Sequence, residues 1–400
     1  MNKNRFIELF RKVLRLGGQS LNMICYYPIS LFYKNKEKYN DMWLISERGN
    51  EAKDNGYVFF KYLRENHPEI NAHYLMDSSK AVDFSKVKGL GNVIEYGSFE
   101  HKIAFLLCEK AICTHIGFLE PWSYKLYKLI LDRKNKKKFI FLQHGIILHD
   151  LSEDLNKAST KINLFITTTT KEYESICSDV YGYESDEVVQ TGIARLDNLY
   201  DCKTKNQIVL MPTWRKDIVN PSYLKQKVID DRVFLESEYF EKFNSLLNNK
   251  KLEQVLNEHN CELVFYPHYE IQQYIDYFES SCEKVIIASK EKYDVQTLLK
   301  ESKLLITDYS SVAFDFAYME KPVVYYQFDE LDHYKNGYFD YDEDGFGSII
   351  NKENELIDLL DKYIKNKFIL ETIYKNRIET TFNRRDNKNC ERIFKSIKAI

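Results

Sequence analysis

Residues 303–328 read KLLITDYSSVAFDFAYMEKPVVYYQF, and their reading decides the fold. The apolar run Leu304-Leu305-Ile306-Thr307 predicts a buried strand, and Asp308-Tyr309 turns the chain. Ser310 and Ser311 stand where a helix N-cap is expected, and 312–319 predicts the helix. Glu320-Lys321-Pro322 stops that helix, and 322–326 predicts a second buried strand. Strand, tight turn, helix and strand form half of a doubly wound sheet, where ligands sit beyond the carboxyl ends of the strands. Two serine hydroxyls and backbone N–H groups at such a place suit an anion, and the helix dipole favours phosphate. A hydroxyl-capped helix in an ordinary α/β core fits this stretch, taken alone, equally well.

The same rhythm continues outward from it. Strands are predicted at 42–46, 72–76, 93–96, 110–115, 138–143, 164–170 and 188–192, then at 207–211, 262–265 and 285–288. Helices are predicted between them, among them 55–66, 99–108, 171–180, a long charged one at 236–260, and 295–300. Such alternation calls for parallel sheets. The polar stretch 198–206 marks a junction, so 39–200 and 201–400 are expected to be two domains after an N-terminal segment, 1–38. The expected class is α/β, with two Rossmann-type parallel-sheet domains facing across a cleft. After Phe328 the chain is expected to run as an acidic-aromatic loop to Ile350 and then as helices.

Composition excludes several classes. A net charge of −3 gives no global field for nucleic acid, and scarce Gly and Pro (14 and 7) against 30 Tyr and 25 Phe argue against disorder. The eight cysteines are scattered without a CxxC and read as reduced thiols of a cytosolic compartment. Residues 21–33 lack a small-residue cleavage site and are too short to span a bilayer. Residues 1–38 carry eight Lys/Arg against Glu8 and Glu37, with Phe6, Ile7, Phe10, Val13, Leu14 and Leu16 near helical spacing. A basic amphipathic helix suits an anionic membrane surface, and the plainer alternative is a helix packed on its own domain. Residues 116–131, with the basic run Arg133, Lys134, Lys136, Lys137 and Lys138, are a second candidate contact, or a solvated loop. The location expected is cytoplasmic, peripheral on the inner face of the membrane.

Three predicted strands deliver polar residues at their ends: His144, His268 and the set Asp308-Tyr309-Ser310-Ser311. A strand-end histidine is as often a satisfied structural ring as a catalytic one. One in each expected domain favours the catalytic reading. His115, His144 and His149 have no helical ligand spacing, so metal ligation is not expected.

The ordered motifs FLQHG (141–145), TG with Arg195-Leu196-Asp197, PTWR (212–215), YPHYE (266–270), TDYSSVAFDFAYMEKPVVYY (307–326) and FDYDEDGFG (339–347) resemble the CDP-glycerol glycerophosphotransferase family of teichoic-acid and capsule synthesis. SERG at 46–49 and Asp54-Asn55 look like the family's start, and the likeness covers residues 42 to 350. The resemblance implies a GT-B-type fold and transfer of a polyol phosphate from a CDP-activated donor, without a metal or other cofactor. The acceptor would be a hydroxyl of a lipid-linked or polysaccharide chain. It implies His144 as base on that hydroxyl and His268 acting on the donor phosphates. Ser310 and Ser311 would hold the pyrophosphate, with Thr307, Asp308 and Thr213 beside them and Arg215 adding a positive charge. Asp308 is expected to shape the turn more than to do chemistry. Gly145, Asp315 and Asp340 are further candidates. Gly345-Phe346-Gly347-Ser348 departs from the family, which commonly carries a proline there, and this leaves the polyol open. The rival readings are a glycosyltransferase using a nucleotide sugar and a non-catalytic scaffold in cell-surface polymer assembly.

Overall fold

The structure is a computed structural model that describes residues 3–200, 203–219, 231–331 and 336–400, with backbone alone for 3–15 and 81. Among the described residues thirteen strands form two sheets, and every strand pairing is parallel. The first sheet takes β1 (Trp43–Ser46), β2 (Ala72–Met76), β3 (Val93–Glu95), β4 (Lys110–Cys113), β5 (Lys138–Phe141), β6 (Leu164–Thr167) and β7 (Val188–Gln190). Its order is β3-β2-β1-β4-β5-β6-β7. The second takes β8 (Gln207–Leu210), β9 (Glu262–Phe265), β10 (Val285–Ile287), β11 (Leu304–Thr307), β12 (Val323–Tyr326) and β13 (Gly347–Ile350). Its order is β10-β9-β8-β11-β12-β13. Both orders are Rossmann-like. The strands are continuous apolar runs because helices cover both faces of a parallel sheet: β1, β4, β6, β8, β11 and β12 are buried at every residue.

Each sheet belongs to its own compact unit. Unit 1 holds the described residues up to Ile146, with Leu151–Asn198 and Asp386–Ile400; unit 2 holds Ile147–Asp150 and Leu199–Arg385. The expected boundary after residue 200 thus misses a return of the chain at its end. The helix Asn389–Lys398 packs on unit 1, where Asp197 accepts the N–H groups of Asn389 (2.9 Å) and Cys390 (2.8 Å). Lys110 Nζ, buried under Trp43, donates to the carbonyls of Ile397 and Ile400. Phe394 stacks on His67 with centroids 3.7 Å apart.

Three further expectations change. The long helix 236–260 is two helices, Glu238–Leu247 and Lys250–Glu258, because Asn249 caps the second through the N–H groups of Lys251 and Leu252. β13 falls where a loop was expected. It is short, only Gly347 of it is buried, and it starts on a glycine, so it carries no strand signature. That glycine is required, since a Cβ there would lie 1.7 Å from the Val323 carbonyl oxygen. The segment 116–131 packs its aromatic residues inward: Trp122, Tyr124 and Tyr127 are buried, Lys128 pairs with Asp132 at 2.8 Å, and Lys137 donates to the Cys108 carbonyl. Arg133, Lys134 and Lys136 stay exposed.

The N-terminal segment is one helix, Lys3–Leu31, and no described helix is long and apolar enough to cross a membrane. Phe6, Ile7, Phe10, Val13 and Leu14 lie outside the residues whose side chains are described. From Leu16 on, one side docks on unit 1. Gln19 and Asn22 accept from Ser123 N and Trp122 Nε1, Met23 is buried, and the Tyr26 ring meets Phe99 and Trp122. The other side leaves Leu21, Ile24, Tyr27 and Leu31 exposed, and Phe32 just beyond is 85% exposed.

Asp197→Ala should release the N-terminus of the last helix and destabilise unit 1 by about 1–3 kcal/mol, since two orphaned helix N–H groups lose their acceptor. Urea unfolding of the full chain checks this, and an unchanged midpoint would contradict the assignment of that helix to unit 1.

Candidate active site

In each sheet the strand order reverses at one point, between β1 and β4 in unit 1 and between β8 and β11 in unit 2. Ligand crevices open beyond the carboxyl ends of such strands. In unit 1 the switch-point strands deliver Glu47-Arg48 and Thr114-His115, with Gln143-His144-Gly145 after the neighbouring β5. In unit 2 they deliver 212–215 and 308–311, with 266–268 after the neighbouring β9. Chemistry and topology therefore coincide in both units.

In unit 1, Gln143 leaves β5 in the left-handed region (φ 63°), which turns His144 out to an exposed position. Asn55 Nδ2 donates to the Gln143 carbonyl at 2.7 Å, and Arg195 Nη1 donates to the His144 carbonyl. Arg195 also pairs with Asp54 at 2.8 Å, and its main-chain N–H donates to Asn55 Oδ1 at 2.9 Å. Beneath them Glu47 accepts the N–H groups of Lys53, Asp54 and Tyr57 at 2.8–3.0 Å. Burial, with Asp54 adding, lifts its carboxyl up to about 8 against those three bonds. The His144 ring stacks on His115, centroids 4.7 Å apart and planes 24° apart. Although His144 is exposed, the protein packed around it removes enough water to lower its pKa. Arg48 and Arg195 act in the same direction, while Asp54 and the Thr114 main chain oppose them. The ring is thus held neutral near pH 7, as a base must be.

In unit 2 the organising group is Arg215, only 5% exposed. It donates to Asp329 through Nε (2.7 Å) and Nη2 (2.9 Å), and through Nη1 to Asp308 (2.9 Å) and the Thr213 carbonyl (3.1 Å). Burial opposes its charge, but Asp308 and Asp329 more than reverse this, so the pKa is raised. Asp308, fully buried, also accepts from Thr213 N (2.8 Å) and Tyr309 N (2.7 Å). This carboxylate ties the loop after β8 to the turn after β11. His268 follows β9. Its N–H bonds the Pro212 carbonyl, its ring lies parallel to Trp214, and Nδ1 accepts from Glu270 N at 3.2 Å. A neutral His268 therefore carries its ring proton on Nε2 as a donor.

Several expected roles change in this light. Arg215 presents no positive charge to a ligand, because two carboxylates more than offset it; it builds the loop. Thr307 gives its hydroxyl to the Met211 carbonyl (2.7 Å), and Thr213 is buried with its N–H on Asp308. Asp308 shapes the turn, as expected. Ser311 occupies the N-cap position with helical dihedrals and caps nothing; Ser310 Oγ instead accepts from Val312 N at 3.3 Å. The helix they open, Val312–Tyr318, has seven residues, and both serines are half-buried. Gly145 is buried beside His144, and Asp315 is buried in that short helix. Asp340 is exposed and accepts from Asp342 N and Glu343 N, so it shapes the 340–344 turn. Arg377 clamps this turn through the Gly345 and Asp342 carbonyls. Among the described residues no group of three or more His, Cys, Asp or Glu is placed to hold a metal ion.

Sequence reasoning missed Asp329, weighed His115 only as a metal ligand, and quoted Arg48, Asp54, Asn55 and Arg195 only as motif residues. His115 had a signal, since it ends an apolar strand as His144 and His268 do. Asp329 had none, because its partner is far away in sequence.

The chain belongs to the CDP-glycerol:poly(glycerophosphate) glycerophosphotransferase family, whose profile matches residues 26–399. It is 35% identical over 415 residues to the minor teichoic acid biosynthesis protein GgaB of Bacillus subtilis (strain 168), covering 100% of this chain and 45% of that protein. The chain thus spans less than half the length of that relative. It is 24% identical to the teichoic acid glycerol-phosphate transferase of Staphylococcus aureus (strain NCTC 8325 / PS 47), covering 89% of this chain and 93% of that one. The structure resembles the wall teichoic acid polymerase TagF with a TM-score of 0.68 at 18% identity, over 100% of this chain and 98% of that chain. That likeness shows the fold: two Rossmann-like parallel-sheet domains of GT-B type.

Arg215→Ala should leave Asp308 buried and uncompensated and the half-buried Asp329 without its partner, costing unit 2 about 3–5 kcal/mol. Thermal and urea unfolding check this, and a loss no larger than for an exposed arginine such as Arg133 would contradict the structural role.

Proposed function

We propose that the chain transfers glycerol phosphate, or a related polyol phosphate, from its CDP ester to a hydroxyl of a teichoic-acid acceptor, releasing CMP. The observation that carries this reading, in a chain of this family, is a strand-end histidine in each unit on the strand beside that sheet's switch point, His144 after β5 and His268 after β9. The acceptor oxygen attacks the phosphorus that bears the polyol. The bond from that phosphorus to the CMP oxygen breaks, and the hydroxyl proton passes to His144. Asp54 lies where it favours the imidazolium that forms. His268, donating from Nε2, and the N–H and hydroxyl groups of Ser310 and Ser311 would take the growing charge on the phosphates. Such transfer is mostly positioning and charge stabilisation. Neither histidine needs a metal for these parts.

The acceptor is proposed to be lipid-linked, with the chain on the anionic inner surface of the membrane. Support comes from the apolar side of the Lys3–Leu31 helix that unit 1 leaves uncovered, followed by Lys34 and Lys36, which bring about 1 kcal/mol of attraction each near anionic lipid.

With CDP-glycerol and a lipid-linked acceptor, CMP release should fall by about 10²–10⁴-fold in His144→Ala and in His268→Ala, the usual worth of a proton-handling group. Full turnover by His144→Ala would remove the base assignment, and release of UMP or UDP from UDP-sugars would move the chain to the rival reaction. The base must be unprotonated and its pKa is lowered. The acid limb of kcat/KM should therefore fall below the ordinary histidine value of 6.5, so that activity is retained at mildly acid pH. Changing Leu21, Ile24, Leu31 and Phe32 together to Ser should abolish flotation with phosphatidylglycerol vesicles and leave kcat on a soluble acceptor intact. Undiminished flotation would exclude this face as the contact.

A further inference from the structure

His115 is a group that the proposed reaction leaves unused, yet its chemistry is unusually constrained. Arg48 has only donors to offer, and its Nε lies 3.3 Å from His115 Nε2. His115 Nε2 must therefore accept, which an imidazolium cannot do. The ring proton is left on Nδ1, 2.9 Å from Thr114 Oγ1, which accepts it. Geometry alone makes His115 a neutral ring in a single tautomer. Burial, then His144 and Arg48, hold its pKa well below the ordinary value, in agreement.

The face of that ring is the surface on which exposed His144 rests, at 4.7 Å and 24°. A side chain exposed at a strand end keeps its rotamers unless something flat or bonded selects one. Two adjacent imidazoles also compete for one proton, and their titrations are coupled. Arg48 settles that competition by preventing His115 from taking it. The groups facing His144 in unit 1 are then Arg48 after β1, Asp54 before the helix Asn55–Asn66, Thr114 and His115 after β4, and Arg195.

We propose that His115 is a positioning residue for His144: pinned neutral by Arg48, it is the platform that orients the His144 ring and leaves His144 as the member of the pair that takes the proton. This rests on His144 being the base. It concerns what makes that base work.

The test uses the full chain labelled at histidine with ¹⁵N and ¹³C, so that ring resonances report tautomer and titration without turnover. In the native protein the His115 resonances, assigned by loss in His115→Phe, should show the Nδ1–H tautomer and not titrate between about pH 5 and 8, while His144 titrates. In Arg48→Gln, His115 should begin to titrate and the His144 midpoint should rise, because a cation that opposed protonation is gone. A native His115 that titrates in this range, or that carries its proton on Nε2, overturns the proposal. So does an Arg48→Gln protein in which neither resonance moves. In the CMP-release assay, His115→Ala should lower kcat about tenfold or more with KM for CDP-glycerol within about twofold, whereas His115→Phe keeps the flat ring and most of kcat. A fully active His115→Ala beside an inactive His144→Ala would sink this inference alone, and an active His144→Ala would sink the reading beneath it.

Discussion

A guanidinium buried between two carboxylates governs the second unit. Arg215 leaves the loop after β8, Asp308 stands at the end of β11, and Asp329 follows β12, so one cation binds three segments whose strands lie side by side. Any one of the three charges alone would cost several kcal/mol to bury. Together they are satisfied, and Tyr239, Tyr309 and Phe328 surround the guanidinium. The constraint sets the turn from which Ser310 and Ser311 project. It also sets the main chain of Pro212, to which His268 is bonded. The cation that the sequence offers as a phosphate ligand is thereby the frame on which Ser310, Ser311 and His268 are mounted.

The first unit solves the same problem without a central cation. There a left-handed residue, Gln143, throws His144 outward. Its strained geometry is held by Asn55 on one carbonyl and Arg195 on the next. Asp54 and Asn55 begin a helix, Arg195 lies after β7, and His115 ends β4. A single exposed ring is thus fixed by elements from across the sheet. Preorganisation of this kind is what catalysis by positioning requires.

Much of this was legible in the residues. Twelve of the strands were visible as apolar runs, and His144, His268 and the 308–311 set were visible as polar residues at strand ends. β13 was not visible, because a half-buried strand that opens on a glycine looks like a loop. Nor was the break in the 236–260 helix, where Asn249 looks like an interior polar residue until it caps. Ser310 and Ser311 were both read at the cap from their place in the sequence, and the turn gave the bond to Ser310. The basic run after residue 132 looked exposed because charge is a property of residue type, yet Lys137 found carbonyls inside.

By itself the sequence determined the class of fold and the family and placed two histidines at strand ends, because apolar periodicity and ordered motifs are local and survive in one dimension. The tertiary structure decided which polar groups are spent on the protein and which stand ready for a ligand. It took Arg215, Thr307 and Asp308 out of the second list and brought His115 and Asp54 up to His144. The physical reason is that a hydrogen bond or an ion pair is settled by distance in space. The partners here, Arg215 with Asp329 or Asp54 with Arg195, are far apart in the chain and meet only when parallel strands bring their ends together.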